Sequence, residues 1–299
     1  MADYQVFSDG SCDLGSERTK RMNIGIIPYY ISFDGNKFYK EIEEMDVRDF
    51  YEHMVKFPKV FPKTSLPTIQ DYVDAFLPAV KLGLSVICLC LSGKFSGSVN
   101  SARNAAQLLK ERYKEAKIAV VDTTLATALE GLLVRECARM RDDGVPFETA
   151  LEKIEKMKVT GRIFFSVGSM DHLIHGGRVG KVKGLAASTL GIKPMISLKN
   201  GEIYPEGVTR SRKKAFVRII EMAKNYFSDT GEKADDYVFA SGYGYDYSEC
   251  VDFKNQLVES MKTYSSIEDM EIYQIGATIG VHTGPYPLGM GFLKRYEKV

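Results

Sequence analysis

The segment that indicates the fold most clearly is Leu84-Ser85-Val86-Ile87-Cys88-Leu89-Cys90-Leu91. It is apolar at almost every position, as expected for a strand covered on both faces in a parallel sheet. A polar, glycine-containing loop follows at residues 92–97, and residues 98–114 then have the periodicity of a helix. A buried strand, a polar loop and a helix in this order are typical of the α/β class.

The same alternation extends through the rest of the first half of the chain. Further strand signals fall at residues 4–8, 24–33 and 117–121. Helix signals fall at residues 46–54, 69–82, 123–141 and 147–157. We therefore predict a doubly wound parallel sheet for this half.

The second half of the chain has a different order of predicted strands and helices. Residues 192–198 and 202–209 flank Lys199-Asn200-Gly201, a strong signal for a β-hairpin. Strands are also predicted at residues 162–167, 237–241, 272–281 and 288–296, and helices at residues 211–227 and 247–264. Because 299 residues are about twice a typical domain, we predict an N-terminal α/β domain at 1–160 and a C-terminal α+β domain at 161–299.

Composition and charge exclude several classes of function. The 40 Lys and Arg residues nearly cancel the 39 Asp and Glu residues, so we expect no binding to nucleic acid. No apolar run reaches the length of a membrane span, and residues 1–5 do not resemble a signal peptide. We therefore expect no stable membrane insertion. Cys88 and Cys90 lie in the apolar run, where free thiols suit a reducing cytoplasm.

The common catalytic motifs are incomplete. Gly180-Lys181 is followed by Val182 rather than the Ser or Thr of a nucleotide-binding P-loop, and no dinucleotide-binding glycine motif follows the first strand. Ser96 lacks the preceding glycine of a nucleophile elbow, since position 94 is lysine. The four histidines and five cysteines show no zinc-site spacing. These patterns predict no metal, no cofactor and no catalytic activity of the chain alone.

Three polar loops adjoin predicted strands, where α/β sheets build ligand sites. They are residues 62–68, 91–98 and 282–285. Taken singly, each is also explained by serine and threonine residues that cap helices. Ser96 and Ser98 stand at the start of a predicted helix, whose unpaired N–H groups and dipole favour an anion without any Lys or Arg.

Read together, several segments resemble the DegV family of bacterial fatty-acid-binding proteins. They occur in the family's order from one end of the chain to the other. These segments are Ser8-Asp9-Gly10-Ser11-Cys12-Asp13-Leu14, Lys63-Thr64-Ser65-Leu66-Pro67-Thr68, Leu91-Ser92-Gly93-Lys94-Phe95-Ser96-Gly97-Ser98, Val121-Asp122-Thr123, Gly176-Gly177-Arg178, Gly191-Ile192-Lys193-Pro194 and His282-Thr283-Gly284-Pro285.

The resemblance implies a fold and a function. The fold is an N-terminal three-layer α/β domain with a mainly parallel sheet and a C-terminal α/β (α+β) domain with a mixed sheet, with a fatty acid between them. Some family members are the lipid-binding subunit of a fatty acid kinase. A separate ATP-binding subunit phosphorylates the bound carboxylate, and the acyl phosphate enters phospholipid synthesis. The implied ligand is thus a long-chain fatty acid, with no cofactor.

The resemblance also implies roles for individual residues. Thr64 and Ser96 match the residues that contact the carboxylate, and we place Ser65 and Gly97 of the same two loops with them. His282 matches a histidine beside the carboxylate, although a purely structural histidine stays open as an alternative. Arg178 matches an arginine on the partner-facing side, and a solvated surface residue is its alternative.

One departure from the family pattern concerns the last motif. Tyr286-Pro287 stands where the family commonly has glycine after Gly-Pro, and this departure leaves open the shape of the wall near the head group and the acyl-chain preference. Two other functions stay open. The chain would otherwise be a lipid buffer or transport protein without a kinase partner, or a small-molecule kinase or acyl transferase. The missing nucleotide loop argues against the last.

Overall fold

The computed structural model describes residues 4–187 and 191–299. Residues 1–3, on which part of the expectation about a signal peptide rests, lie outside the described residues. In chain order the strands are β1 (Tyr4–Asp9), β2 (Ile24–Ile27), β3 (Tyr30–Ser32), β4 (Tyr39–Lys40), β5 (Lys63–Ser65), β6 (Ser85–Cys90), β7 (Ile118–Asp122), β8 (Arg162–Ser166), β9 (Lys193–Lys199), β10 (Glu202–Thr209), β11 (Tyr237–Tyr243), β12 (Glu271–Gln274) and β13 (Leu288–Lys294).

The α-helices follow the same alternation in the first half. They are α1 (Gly15–Arg21), α2 (Val47–Lys56), α3 (Ile69–Lys81), α4 (Ser98–Arg112), α5 (Thr127–Asp142), α6 (Phe147–Lys158), α7 (Asp171–His175), α8 (Arg212–Thr230), α9 (Tyr247–Met261) and α10 (Ala277–Thr283). Their boundaries reflect local signals: Asp46 caps α2, and Thr68 forms a capping box with Asp71 at the start of α3.

The first sheet has the strand order β2-β1-β6-β7, and all its pairs are parallel. This confirms the parallel sheet predicted from the apolar run at residues 84–91. Helices α3 and α4 pack on its outer face with Val86, Cys88 and Cys90. The Sγ atoms of Cys88 and Cys90 lie 3.7 Å apart, because residues two apart on a strand share a face.

The second sheet is mixed and has the order β10-β9-β8-β13-β11-β12. Only β11 and β12 pair in parallel; the other neighbours are antiparallel. The turn between β9 and β10 is the predicted hairpin, with positive φ angles of 54° at Asn200 and 80° at Gly201. The mixed C-terminal sheet is therefore confirmed as well.

Helix α5 lies between the two sheets. It contacts β1 and β6 of the first sheet and β11 and β13 of the second. Its side chains are buried around almost the whole circumference, as expected for a helix with no solvent-facing side. Gly131 allows the close approach, since a Cβ atom there would lie 2.3 Å from the carbonyl oxygen of Cys12. With α8 and α9 on the far face of the second sheet, the molecule has five layers.

Residues 24–33 form β2 and β3, which lie in two different sheets, rather than the one strand that the sequence predicts. Two further local predictions were wrong. Residues 272–281 are not one strand: β12 ends at Gln274, and helix α10 begins at Ala277. The N–H groups at the start of this helix bond to carboxylates far away in the chain, from Gly276 to Asp13 Oδ1 (2.9 Å) and from Thr278 to Glu41 Oε1 (3.2 Å). The second error is the loop predicted at residues 62–68, because Lys63–Ser65 form β5 in a small sheet of order β4-β3-β5.

Within residues 4–187 and 191–299, no helix is both long enough and apolar enough to cross a bilayer.

Candidate functional site

A cavity of about 290 Å³ lies between α5 and the inner face of the second sheet. Its remaining walls come from β5, the loop after β6, and helix α10. The volume is close to the lower end of the range of small-molecule sites. Elements from both halves of the chain therefore enclose one space.

Most of the cavity wall is apolar. The apolar side chains on the two sides of the space come from the sheet and from the helices that cover it. They include Leu91, Ala126, Ala128, Ile163, Phe165, Leu198, Ile203, Ile275, Ile279, Leu288 and Met290. Glycines 242, 289 and 291 also line the wall. At Gly289 a Cβ atom would lie 2.5 Å from the carbonyl oxygen of Phe164, so the strands require glycine there.

Polar groups gather at one end of the cavity. The lining there includes Thr64, Ser65, Ser96, Arg178 and His282. Thr64 Oγ1 lies 3.2 Å from His282 Nε2, so these two side chains are hydrogen-bonded. Five of the six residues predicted from the sequence thus line the same cavity.

The sixth residue, Gly97, is not part of the lining. It precedes the first residue of α4, and its position lies close to the side chain of Leu66. Ser98 also turns away from the cavity: its hydroxyl donates to Asp9 Oδ2 at 2.6 Å. Ser96 is the hydroxyl of this loop that reaches the cavity, and the Ser98 N–H donates to its Oγ at 3.2 Å.

His282 is held as a neutral imidazole. Burial is the main cause that lowers its pKa to about 4, and the positive charge of Arg178 contributes further. Its Nδ1 atom is buried and has no hydrogen-bond partner among the residues that the structure describes. Gly176 packs against this ring edge, where a Cβ atom would come within 2.1 Å of Nδ1. At neutral pH His282 therefore offers one ring N–H without adding a positive charge.

Arg178 lies at the exposed rim of the polar end. Its guanidinium donates to the carbonyl oxygens of Phe95 at 3.2 Å and Gly176 at 2.7 Å. These bonds fix the side chain beside the cavity mouth and leave its charge facing the polar end. Arg178 is therefore both a lining residue and a surface residue.

The structure shows where the Tyr286-Pro287 departure lies relative to the cavity. Pro287 lines the cavity, but Tyr286 does not. The Tyr286 ring packs edge-to-face with Tyr245 and is 40% exposed. Of the two residues, the structure therefore places only Pro287 in the cavity wall.

Tyr29 is a cavity residue that no sequence motif indicated. This residue is only 2% exposed and lines the polar end of the cavity. Its hydroxyl lies 3.0 Å from Ser96 Oγ and 3.3 Å from Asp9 Oδ2. Tyrosine in an apolar segment fits a core position equally well, so only the three-dimensional structure identifies it as part of the site.

Carboxyl groups are buried behind the polar end without forming a metal site. Asp9, Asp13, Glu41 and Glu130 are all buried. Within the part of the chain that the structure describes, no cluster of three or more His, Cys, Asp or Glu side chains could hold a metal ion.

Glu41 caps the helix that carries His282. Its carboxyl group accepts hydrogen bonds from the N–H and the hydroxyl of Thr278. Burial raises the pKa of Glu41 from its usual 4.5 to about 7, in spite of these bonds. The neighbouring carboxyl of Asp9 raises it further.

This raised pKa predicts a pH dependence of stability. The folded state favours protonated Glu41, so its contribution to the free energy of unfolding is lost as the pH rises through about 7. Chemical denaturation should show that Glu41→Gln removes roughly 2 kcal/mol of the decrease between pH 5 and pH 8. Glu115→Gln, at an exposed position, is the control. Parallel stability curves for wild type and Glu41→Gln would contradict the prediction.

Comparison with known proteins identifies the family. The model of the DegV family matches residues 3–295. A DegV domain-containing protein from Clostridium perfringens is 30% identical over 295 residues, which cover 98% of each chain. The chain belongs to the DegV family.

Solved structures of DegV-type proteins share the whole fold. A protein from Eubacterium ventriosum, described as binding stearic acid, is 38% identical with a TM-score of 0.93, and the match covers 99% of this chain and 100% of the other. A DegV family protein from Thermus thermophilus, described by its fatty acid binding, is 26% identical with a TM-score of 0.85 and coverage of 98% and 99%. The two-domain DegV fold predicted from the sequence is confirmed.

The site of this DegV-family chain suits an amphipathic ligand. An apolar chain would lie against the sheet and α5, and a small polar group would meet hydroxyl and imidazole donors at one end. Ser65, Leu66 and Arg178 are exposed at that end. The polar group would therefore lie near the protein surface while the apolar chain stays inside.

Proposed function

We propose that this chain binds one long-chain fatty acid in the cavity, with the tail between α5 and the second sheet and the carboxylate at the polar end. The observation that carries the proposal is an apolar cavity that ends at the Thr64 and Ser96 hydroxyls. Similarity to two structures described as binding fatty acids supports it.

Burial of the tail supplies the binding energy. Each methylene removed from water contributes about 0.8 kcal/mol, so a chain of ~16 carbons contributes on the order of 10 kcal/mol before ordering costs. This energy holds the ligand without a charged anchor inside the cavity.

The head group is the costly part of the ligand, because an unpaired buried carboxylate is strongly destabilising. Hydroxyl donors from Thr64 and Ser96 would satisfy its oxygens and leave its negative charge intact. Neutral His282 would donate its Nε2–H to Thr64 Oγ1, which leaves the Thr64 hydrogen for the ligand. The positive charge of Arg178 at the rim would stabilise the carboxylate, while no bidentate Arg–carboxylate pair would occupy both of its oxygens. The carboxylate thus keeps its nucleophilic character.

We further propose that the bound carboxylate is presented to a separate ATP-binding kinase subunit in the cytoplasm. A carboxylate oxygen attacks the terminal phosphorus of ATP, the bond from that phosphorus to the ADP oxygen breaks, and ADP leaves. The product is an acyl phosphate that feeds phospholipid synthesis. The exposed polar end supports this role, and so does the absence of a nucleotide-binding loop from the sequence.

The binding step is tested on the purified protein. Native mass spectrometry should show one long-chain fatty acid per chain, either co-purified or after addition of oleate. Preparations that bind no oleate, or that bind only water-soluble metabolites, would contradict the proposal.

The kinase step is tested by reconstitution. With ATP, Mg²⁺ and oleate, the chain alone should form no acyl phosphate, whereas addition of a matching ATP-binding subunit should start turnover. Turnover by the chain alone would favour a stand-alone enzyme. Binding of oleate without any complex or turnover would favour a lipid buffer.

A further inference from the structure

Asp9 is the acceptor at the centre of a buried hydrogen-bond network behind the polar end. It is the last residue of β1 and has no solvent exposure. Its Oδ1 atom accepts from the N–H and hydroxyl of Ser11 at 3.3 and 2.6 Å. Its Oδ2 atom accepts from the Leu91 N–H at 3.0 Å and the Ser98 hydroxyl at 2.6 Å. The Tyr29 hydroxyl lies 3.3 Å from Oδ2 and shares its one hydrogen between Asp9 and Ser96 Oγ.

Three of these donors control the position of Ser96. Leu91 and Ser98 are the two ends of the loop that carries Ser96, so Asp9 ties both ends to the end of β1. Ser96 Oγ in turn lies 3.0 Å from the Tyr29 hydroxyl and 3.2 Å from the Ser98 nitrogen. Among the described residues, each hydrogen bond that Ser96 Oγ accepts therefore comes from a residue that also donates to Asp9.

The surroundings of Asp9 and Glu130 differ in a way that assigns their charges. Ser11 Oγ lies 2.6 Å from Asp9 Oδ1 and 2.7 Å from Glu130 Oε2, but it has one hydrogen to donate. One of the two carboxyl groups must therefore supply the second hydrogen. Leaving the shared hydroxyls of Ser11 and Tyr29 aside, Asp9 has three donors of its own, which are the N–H groups of Ser11 and Leu91 and the hydroxyl of Ser98. Among the described residues Glu130 has only the Ser8 hydroxyl besides that of Ser11.

Donors stabilise an ionised carboxylate, so Asp9 is the ionised group and Glu130 the protonated one. Burial raises the pKa of both groups and raises that of Glu130 well above its usual range. Neither forms a salt bridge with a Lys or Arg side chain among the described residues. The hydrogen bonds alone hold the negative charge of Asp9.

We infer that Asp9 is a positioning residue for the head-group site: as a carboxylate it orients Ser96 through Tyr29 and Ser98, while Glu130 serves as its protonated partner. The inference rests on the proposed binding of a fatty acid. It assigns a function to a buried acidic residue that does not itself line the cavity.

The test compares two variants that each remove one carboxyl group. Asp9→Asn places an amide NH₂ opposite donors that need an acceptor, whereas Glu130→Gln keeps an N–H where the protonated acid has its O–H. Affinity for oleate carrying a ¹³C label in its carboxyl group is measured by titration, and the ¹³C shift of the bound head group is recorded. We expect Asp9→Asn to weaken binding roughly tenfold and to move the shift. Glu130→Gln should stay within about twofold of wild type.

The ¹³C shift separates positioning from general stability, because a merely destabilised protein would keep the wild-type shift in its bound fraction. If Asp9→Asn does not fold, Ser98→Ala decides, since it removes a hydroxyl that donates to Asp9 and lies outside the cavity lining. It should weaken binding about threefold and move the shift. Wild-type affinity and shift in every folded variant would overturn the inference. Failure of the wild-type protein to bind oleate would instead overturn the proposed function.

Discussion

Replacement of both Thr64 and Ser96 by alanine is expected to weaken the binding of a long-chain fatty acid by about two orders of magnitude. The two hydroxyls lie at the polar end of the cavity, and a hydrogen bond to a charged group contributes about 1.5–3 kcal/mol. Loss of both leaves a buried carboxylate poorly paired. Isothermal titration with oleate measures the change.

The matched control is Ser101→Ala, which removes a hydroxyl on α4 outside the cavity lining. It should leave oleate affinity unchanged. Melting temperatures establish that the double variant folds. A folded Thr64→Ala/Ser96→Ala protein with wild-type affinity would mean that the carboxylate does not lie at these hydroxyls.

Substitution of Gly242 by leucine is expected to exclude long acyl chains. Gly242 is on β11 and lines the cavity, and a Cβ atom there would lie 3.5 Å from Ile275 Cγ1, an ordinary contact. The backbone therefore accepts a side chain, and the extra carbons of leucine must occupy the tail space. If they displace about four methylene groups at ~0.8 kcal/mol each, affinity for an 18-carbon acid falls by about 3 kcal/mol.

Chain length provides the internal control for this variant. Gly242→Leu should bind a ten-carbon acid nearly as well as wild type does, and Gly242→Ala should lose little affinity for either acid. Fluorescence displacement with a series of saturated acids measures both. Equal loss for short and long acids, or no loss at all, would contradict a tail that lies against β11.

Much of the fold follows from local sequence patterns. The apolar run at residues 84–91 predicted a central parallel strand, because a strand covered on both faces is apolar at almost every position. In the structure α4 covers one face of this strand and α5 covers the other. Asn200-Gly201 predicted the hairpin because its turn requires two positive φ angles. Both sequence signals consist of residues that are next to each other in the chain.

Other features depend on contacts between distant residues. Helix α10 follows an apolar β-rich segment, and its first N–H groups are satisfied by Asp13 and Glu41, more than 230 residues away in the chain. A short window of sequence around α10 does not include these partners. The start of the helix was therefore predicted as the end of a strand, whereas its residue His282 was predicted as a ligand-binding residue from a separate motif.

The candidate site shows the same division. Thr64, Ser96 and His282 were predicted from motifs in separate loops, and the structure brings all three to one cavity. Tyr29 and Asp9 were missed as site residues because a buried tyrosine and a turn aspartate are ordinary in sequence terms. Their significance lies in the distances to Ser96 and Ser98, which the fold alone determines.

A crystal structure with a fatty acid brominated at its terminal carbon tests the central claim most directly. The account predicts a single anomalous bromine peak between α5 and the second sheet, and a carboxylate within hydrogen-bond distance of the Thr64 and Ser96 hydroxyls. A bromine peak on the protein surface, or a carboxylate at the opposite end of the cavity, would contradict it.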